Sequence, residues 1–288
     1  MIQILSWNIQ NGKGVDGEIS LTRIVEQIRA MGDPQIICLQ EVSRGLPLIE
    51  GQPAPDQVLE LSDLLPEFEC VFGAAIDAAG THGRWQFGNL ILSRLPVESQ
   101  ATHILPRPGD RDRKQMTRQA TEVVVRDGAF RWRVITAHLE FHSAAQRLAQ
   151  VQRLRQLHEE AREEDLMPPI TSGEGPYQSI PRPTDVIICG DFNMLAGSDE
   201  YRTLVDPKKN ASTDLADAWT LLHPEEDYPP TCGVHDREQW AEGPHCRDFF
   251  FVSGQARAGL KRIVVNTTTD ASDHQPLMIE LEADSDTK

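Results

Sequence analysis

A single domain that mixes strands and helices is the fold class this sequence predicts. Two short apolar runs, QIICLQEV (Gln35 to Val42) and VIICGDFN (Val186 to Asn193), stop abruptly on carboxylates and carboxamides, as strands buried on both faces do where they leave a sheet. Helix-periodic segments are interspersed with such runs, as at Leu21 to Met31 and Ser143 to Glu164. No internal repeat and no linker divides the 288 residues, a length that can bury a full core. Residues 1–283 therefore read as one domain, with 284–288 a frayed tail.

The elements follow in order. Ile2 to Trp7 is a strand that closes on Asn8, with the NGKG of Asn11 to Gly14 as its loop. Ser20 caps a helix over Leu21 to Met31, whose Ile24, Val25 and Ile28 share a face, and Gly32-Asp33-Pro34 stops it. The strand from Gln35 delivers Gln40 and Glu41 at its end; Gln57 to Leu65 is helical, ended by Pro66. Asn89 to Ser93 is a third strand, preceded by a loop with Arg84, Trp85 and Phe87. Ala120 to Val125 and Phe130 to Leu139 flank Asp127-Gly128, a strong hairpin signal. Leu148, Val151, Leu154 and Leu157 form one stripe on the long charged helix from Ser143. Met167 to Pro183, rich in Pro, Gly and Ser, reads as a long loop, either a surface insertion or a lid. Beyond the central strand, Ser198 opens a short helix to Val205, and Asp206 to Arg247 is mostly irregular. Asp248 to Ser253, Arg262 to Asn266 and Pro276 to Glu282 supply the last strands.

Composition narrows the function. The formal net charge of −16 argues against a protein that lives by gripping duplex nucleic acid, because neutralising phosphates needs basic surface. The densest basic run is RDRK at Arg111 to Lys114, with Arg107 and Arg118 nearby, and by itself it reads as a solvated loop. The N-terminus carries no signal-peptide pattern, and no apolar run reaches the roughly 18 to 20 residues of a membrane span. Five cysteines, with no CxxC pair or Cys/His zinc spacing, make a reduced cytoplasmic protein the expectation. Cys38 and Cys189 lie inside strands, as small hydrophobes do.

What stands at the strand ends carries the chemistry: Asn8, Glu41, His138, Asp191, Asn193, Asp248 and the pair Asp273-His274. Each has an ordinary alternative as a turn former, a surface acid or a satisfied strand histidine. Together they make four carboxylates, two amides and two histidines without a cysteine, a hard donor set suited to Mg²⁺ or Mn²⁺ rather than structural zinc.

WN at Trp7-Asn8, LQE at Leu39 to Glu41, AHL at Ala137 to Leu139, GDFN at Gly190 to Asn193, RDFF at Arg247 to Phe250 and SDH at Ser272 to His274 come in one order. In that order and approximate spacing the chain resembles the endonuclease/exonuclease/phosphatase superfamily, from Trp7 to about Glu282. The resemblance implies an α+β fold of the deoxyribonuclease I type, a four-layer αββα sandwich with the site at one edge. It implies Glu41 as principal metal ligand, Asn8 beside it and Asp273 joining. Asp191, oriented by Asn193, would position or deprotonate the attacking water; His274 with Asp248 resembles the family's His/Asp dyad; His138 would donate to the phosphate or protonate the leaving oxygen. Both Asp191 and His274 stay open as the proton acceptor.

Two departures matter. Gln10 stands where the abasic-site endonucleases carry a metal-associated aspartate, and His138 replaces their tyrosine. With the acidic composition, these favour the branch of phosphatases, phosphodiesterases and deoxyribonuclease I. The expectation is a Mg²⁺-dependent phosphodiesterase or phosphatase, monomeric by default, acting on a small-molecule or single-stranded phosphate ester and not on membranes. The alternatives are a nuclease acting on DNA or RNA, and a binding protein that kept the fold without the chemistry.

Overall fold

Two six-stranded sheets lie face to face in the computed structural model, which describes residues 1–81, 83–168, 170, 173–205 and 215–282. The first sheet runs, in spatial order, β11 (Leu260–Val265), β12 (Leu277–Leu281), β1 (Ile2–Asn8), β2 (Ile36–Arg44), β4 (Gly83–Ser93) and β3 (Glu69–Gly80). The second runs β5 (Val97–Ile104), β6 (Gln119–Asp127), β7 (Phe130–His138), β8 (Ile187–Asp191), β10 (Asp248–Val252) and β9 (Ala216–Asp217). Helices α1 (Leu21–Met31) and α2 (Gln57–Leu64) cover the first sheet, and α3 (Ala144–Leu166) with α4 (Asp199–Val205) covers the second. Short helices α5 (Ala218–Leu222) and α6 (Gly254–Ala258) complete the order. This is the αββα sandwich that the motifs imply.

The continuous apolar runs are explained by two-sided burial. Along β1, Ile2 and Ile4 enter the layer between the sheets while Leu5 and Trp7 face α1; along β2, Ile36 and Cys38 go inward and Ile37 and Leu39 outward. In β8 and β10 the same alternation sends Ile187, Cys189, Phe250 and Val252 between the sheets and Ile188, Phe249 and Phe251 towards α3. A period-2 backbone buried on both sides needs apolar residues at every position. Cys38 and Cys189 are free thiols of that inner layer. Ser20 accepts a hydrogen bond from the Arg23 amide and Ser143 from the Gln146 amide, so side chains cap the starts of α1 and α3.

Strand register brings the polar ends together. The parallel pair β1 and β2 sets Asn8 opposite Gln40, and the parallel pair β7 and β8 sets His138 opposite Asp191. On the other side of β8, antiparallel β10 sets Asp248 opposite Asp191. Gly190 makes the β7 contact feasible: its φ is +134°, and a Cβ there would overlap the carbonyl oxygen of Ala137.

Several elements differ from the sequence reading. β3 and β5 have no element in the sequence reading, and β4 begins at Gly83, inside the segment read as the loop before Asn89. β5 (VESQATHI) is a polar edge strand paired only with β6, so neither burial nor periodicity marks it. In 167–183 the described residues form one 3₁₀ turn at Gly175–Tyr177, and Arg182 pairs with Glu164 at 2.6 Å. None of these described residues lines the site pocket. Residues 206–214 of the segment read as irregular, and the tail read as frayed, lie outside the described residues. No described helix is long and apolar enough to cross a membrane.

Candidate active site

Glu41 stands on a bulge. The pairing of β2 with β4 shifts register between Leu39 and Val42, and Glu41 takes a left-handed φ of 57° that turns its carboxylate out of the ladder. Its Oε1 accepts from Asn8 Nδ2 at 3.1 Å, and the same Nδ2 donates to Asp191 Oδ2 at 3.0 Å, so one amide bridges two carboxylates. The Asn8 Oδ1 accepts from the backbone N–H of Gln10 at 3.1 Å, which fixes that orientation.

Asp191 is the hub. Its Oδ1 accepts from the Asn193 backbone N–H at 2.9 Å, and its Oδ2 lies 3.4 Å from His138 Nε2 and 3.6 Å from His274 Nε2. The backbone of Asn193, at φ 50°, therefore orients Asp191, while its side chain donates to the Leu139 carbonyl at 3.0 Å. Asn193 Oδ1 and His138 Nδ1 are buried without a hydrogen-bond partner. His274 Nδ1 meets Asp248 Oδ2 at 2.8 Å, and Thr231 Oγ1 donates to that oxygen at 2.6 Å. Behind this dyad, Asp273 accepts from Gln239 Nε2 (2.8 Å) and Trp240 Nε1 (3.2 Å). Ser272 Oγ donates to the Asn8 carbonyl, tying the SDH loop to β1.

Burial and neighbouring charges sort the protonation states. Burial pushes Asp191 up, but His274, His138 and the donors from Asn8 and Asn193 outweigh it and hold the carboxyl below its ordinary range. Burial works against a charge on His274, yet Asp248, Asp191 and Asp273 hold it protonated well above the ordinary histidine value. Burial, reinforced by the Arg118 charge, drives His138 down to about 3, so it is neutral at pH 7. Burial, with Asp273 next, pushes Glu41 up to about 7. A carboxyl that would give up its proton to a cation at neutral pH, crowded by Asp273 and Asp191 and offering only oxygen, fits a hard divalent ion. Asp191, Asp248 and His274 also offer ligand atoms within 4.8 Å of one another. Asp191 already accepts from Asn8 and Asn193, and Asp248 Oδ2 from Thr231 while it pairs with His274, so Glu41, with Asn8 as its one side-chain donor, is the better anchor.

All eight residues predicted from the sequence meet here. Glu41, His138, Asp191, Asn193 and His274 line a cavity of about 490 Å³, while Asn8, Asp248 and Asp273 stand behind its wall. Sequence reasoning left Arg118 out of the site, since a contact to the phosphate and an exposed loop arginine read equally well. It is 6% exposed, lines the cavity and sits 3.5 Å from Glu140 Oε2. It also missed Trp240, whose ring packs edge-on to His274 at 5.5 Å. The tryptophan lies in a stretch without periodicity; only the cost of leaving so large a ring in solvent could have marked it.

A double-sheet sandwich with a metal-fit carboxylate, a His/Asp dyad and a buried ionised aspartate at one edge defines the class of deoxyribonuclease I-like folds. The chain belongs to the endonuclease/exonuclease/phosphatase family, whose profile matches residues 5–274. Members of that family are phosphoester hydrolases. No curated protein sequence matches the chain. Among solved structures it is similar to an endonuclease/exonuclease/phosphatase from Beutenbergia cavernae, with 20% identity, TM-score 0.69, and coverage of 96% of this chain and 70% of that one. It is also similar to the Bacteroides thetaiotaomicron mannosyl-6-phosphatase Bt3783, with 17% identity, TM-score 0.65, and coverage of 98% and 100%. D. rerio TDP2 complexed with a single strand DNA product is similar too, with 18% identity, TM-score 0.62, and coverage of 96% and 97%.

Proposed function

We propose that the protein is a phosphodiesterase or phosphatase that uses a divalent cation, Mg²⁺ or Mn²⁺, and water to cleave a phosphate ester by in-line attack. The observation that carries this reading is Asp191, 1% exposed yet ionised, held between a neutral and a charged imidazole on the same cavity wall as Glu41. Glu41 would hold the cation, with Asn8 and Asp273 shaping the acidic corner around it; when bound, it polarises phosphoryl oxygens and offsets charge on the leaving oxygen. Asp191, fixed by Asn8 and Asn193, orients the attacking water and takes its proton. His274 enters the reaction as an imidazolium braced by Asp248, so it binds and neutralises phosphate oxygens rather than acting as the base. His138 offers a neutral ring to the phosphate, and Arg118 adds a fixed positive charge.

The phosphatase and phosphodiesterase branch is favoured over abasic-site cleavage. Gln10 donates to Gln239 at 3.2 Å, and Gln239 donates to Asp273, so the position is occupied by a neutral relay instead of an acid. Cleavage of DNA or RNA is the second reading, and the mannosyl phosphatase and the single-strand DNA complex among the similar folds span both. A panel of bis-p-nitrophenyl phosphate, p-nitrophenyl phosphate, inositol phosphates and plasmid DNA, with and without EDTA, tests this. Turnover abolished by EDTA and restored by Mg²⁺ is expected on at least one ester; no turnover on any substrate would overturn the proposal.

A further inference from the structure

Cations are scarce in this acidic protein, and most of its described arginines are committed to an acid, as in Arg23–Asp16, Arg44–Asp56 and Arg147–Glu200. Among the described cations in no ion pair, Lys13, Arg29, Arg162 and Arg237 are scattered along the chain, whereas Arg107, Arg111, Arg113 and Lys114 share one loop. Arg111, Arg113 and Lys114 are exposed and take part in no ion pair among the described residues, and Lys114 lines the active-site cavity. Two acids lie beside them: Asp110 is engaged by Ser143 Oγ at 2.7 Å, and the exposed Asp112 forms no ion pair with any of the three among the described residues, so the run keeps an excess of positive charge.

The loop carrying them is also built. Two fully buried glutamines of α3 use their amides to hold it: Gln150 donates to the Pro106 carbonyl at 3.2 Å, and Gln146 donates to the Pro108 carbonyl at 2.7 Å and to Gln115 Oε1 at 2.9 Å. A loop that merely closed the connection between β5 and β6 would need no buried amides to order it. Here they fix the backbone that brings Lys114 to the wall of the active-site cavity, with the exposed Arg111 and Arg113 just before it in the chain. Arg and Lys in such a place favour phosphate, Arg by its bidentate fork.

We propose that Arg111, Arg113 and Lys114 form a second anion subsite, which binds a further phosphate group of the substrate beside the scissile one. The proposal rests on the phosphoester-hydrolase reading and adds that the preferred substrate carries at least two phosphates. Exposed charge pairs contribute factors of about two to five each, so three cations give a preference on the order of tenfold, sensitive to salt.

The test uses two chromogenic esters with the same leaving group: thymidine 5′-(p-nitrophenyl phosphate) and the same compound bearing a 3′-phosphate. The wild-type kcat/KM ratio of the second to the first is expected near tenfold at low salt. In Arg111→Ala/Arg113→Ala and in Lys114→Ala it falls towards one, whereas Lys261→Ala, which removes an exposed cation paired with Glu282, leaves it intact. A third ester, whose 3′-phosphate continues into a second thymidine, shows whether the subsite prefers a terminal phosphate or a strand; a ratio above one for either supports the subsite. A wild-type ratio near one for both, or variants that slow all esters equally, would overturn the inference while leaving the hydrolase reading standing. If the wild type cleaves none of these esters but turns over a monoester of the panel above, the inference is overturned and the hydrolase reading stands; if it cleaves nothing in either set, the hydrolase reading itself fails.

Discussion

Replacing Asp191 by asparagine removes one negative charge and almost no volume. In the protein this carboxylate accepts on both oxygens at once, from Asn193 N–H at 2.9 Å and Asn8 Nδ2 at 3.0 Å, with two imidazole nitrogens within 3.6 Å. An amide has a single acceptor oxygen, so in either orientation one N–H of the new residue faces an N–H that formerly donated to a carboxylate. The water would lose its base and its orientation together, which for a general base commonly costs ~10² to 10⁴ in rate. At about 1.4 kcal/mol per decade that is roughly 3 to 5 kcal/mol of transition-state stabilisation. The assay is initial-rate hydrolysis of bis-p-nitrophenyl phosphate by the purified variant, with circular dichroism and a thermal melt to show that it is folded. A folded Asp191→Asn protein with kcat/KM within tenfold of wild type would refute the role of Asp191 and the site logic built on it.

Two further outcomes follow from the scaffold. Gly190→Ala places a side chain at φ +134° against the Ala137 carbonyl, so backbone strain of about 1–3 kcal/mol plus the overlap should lower the melting temperature by at least about 4 °C and, by displacing Asp191, reduce kcat; an unchanged melt would show that β7 and β8 do not need their close approach. Glu122, 4% exposed, accepts from Arg133 at 2.9 Å and meets His103 at 3.0 Å; burial raises its pKa, but His103 and Arg133 more than offset it and bring it to about 2. Because its folded pKa lies below the ordinary 4.5, its contribution is complete above that value and is lost as pH falls from about 4.5 through about 2. Glu122→Gln, which strands the buried Arg133, should cost about 3–5 kcal/mol in urea unfolding at pH 7 and flatten that acid limb; a loss under 1 kcal/mol would contradict the pairing.

The parts of the molecule that could be read from the sequence are those where one physical requirement dominates. β1, β2, β8 and β10 are apolar on both faces, and their polar terminal residues contrast with everything before them, so both the strands and the catalytic candidates were visible. α1 was legible to its ends because Ser20 and Gly32 bracket an amphipathic stripe. β3, with ECVFGAAIDAAG, was not: its alanines and glycines carry no pattern, and its conformation depends on pairing along nearly all of β4. Arg118 looked like a loop residue because burial of a guanidinium comes from partners distant in sequence, here Glu140 and the acids of the site. Protonation could not be read either, since both buried rings face Asp191 and what separates them is distant in sequence: Arg118 beside His138, and the further acids Asp248 and Asp273 beside His274.

Glu41 and Asn193 both occupy left-handed backbone, a conformation that glycine adopts more readily than either. Two of the non-glycine positions where exchange for glycine would relax the chain are thus ones that the proposed reaction needs. Selection for thermal robustness alone would erode this centre before it touched the layers between the sheets, and a homologue that had lost its chemistry would be recognised first by glycine at the bulge.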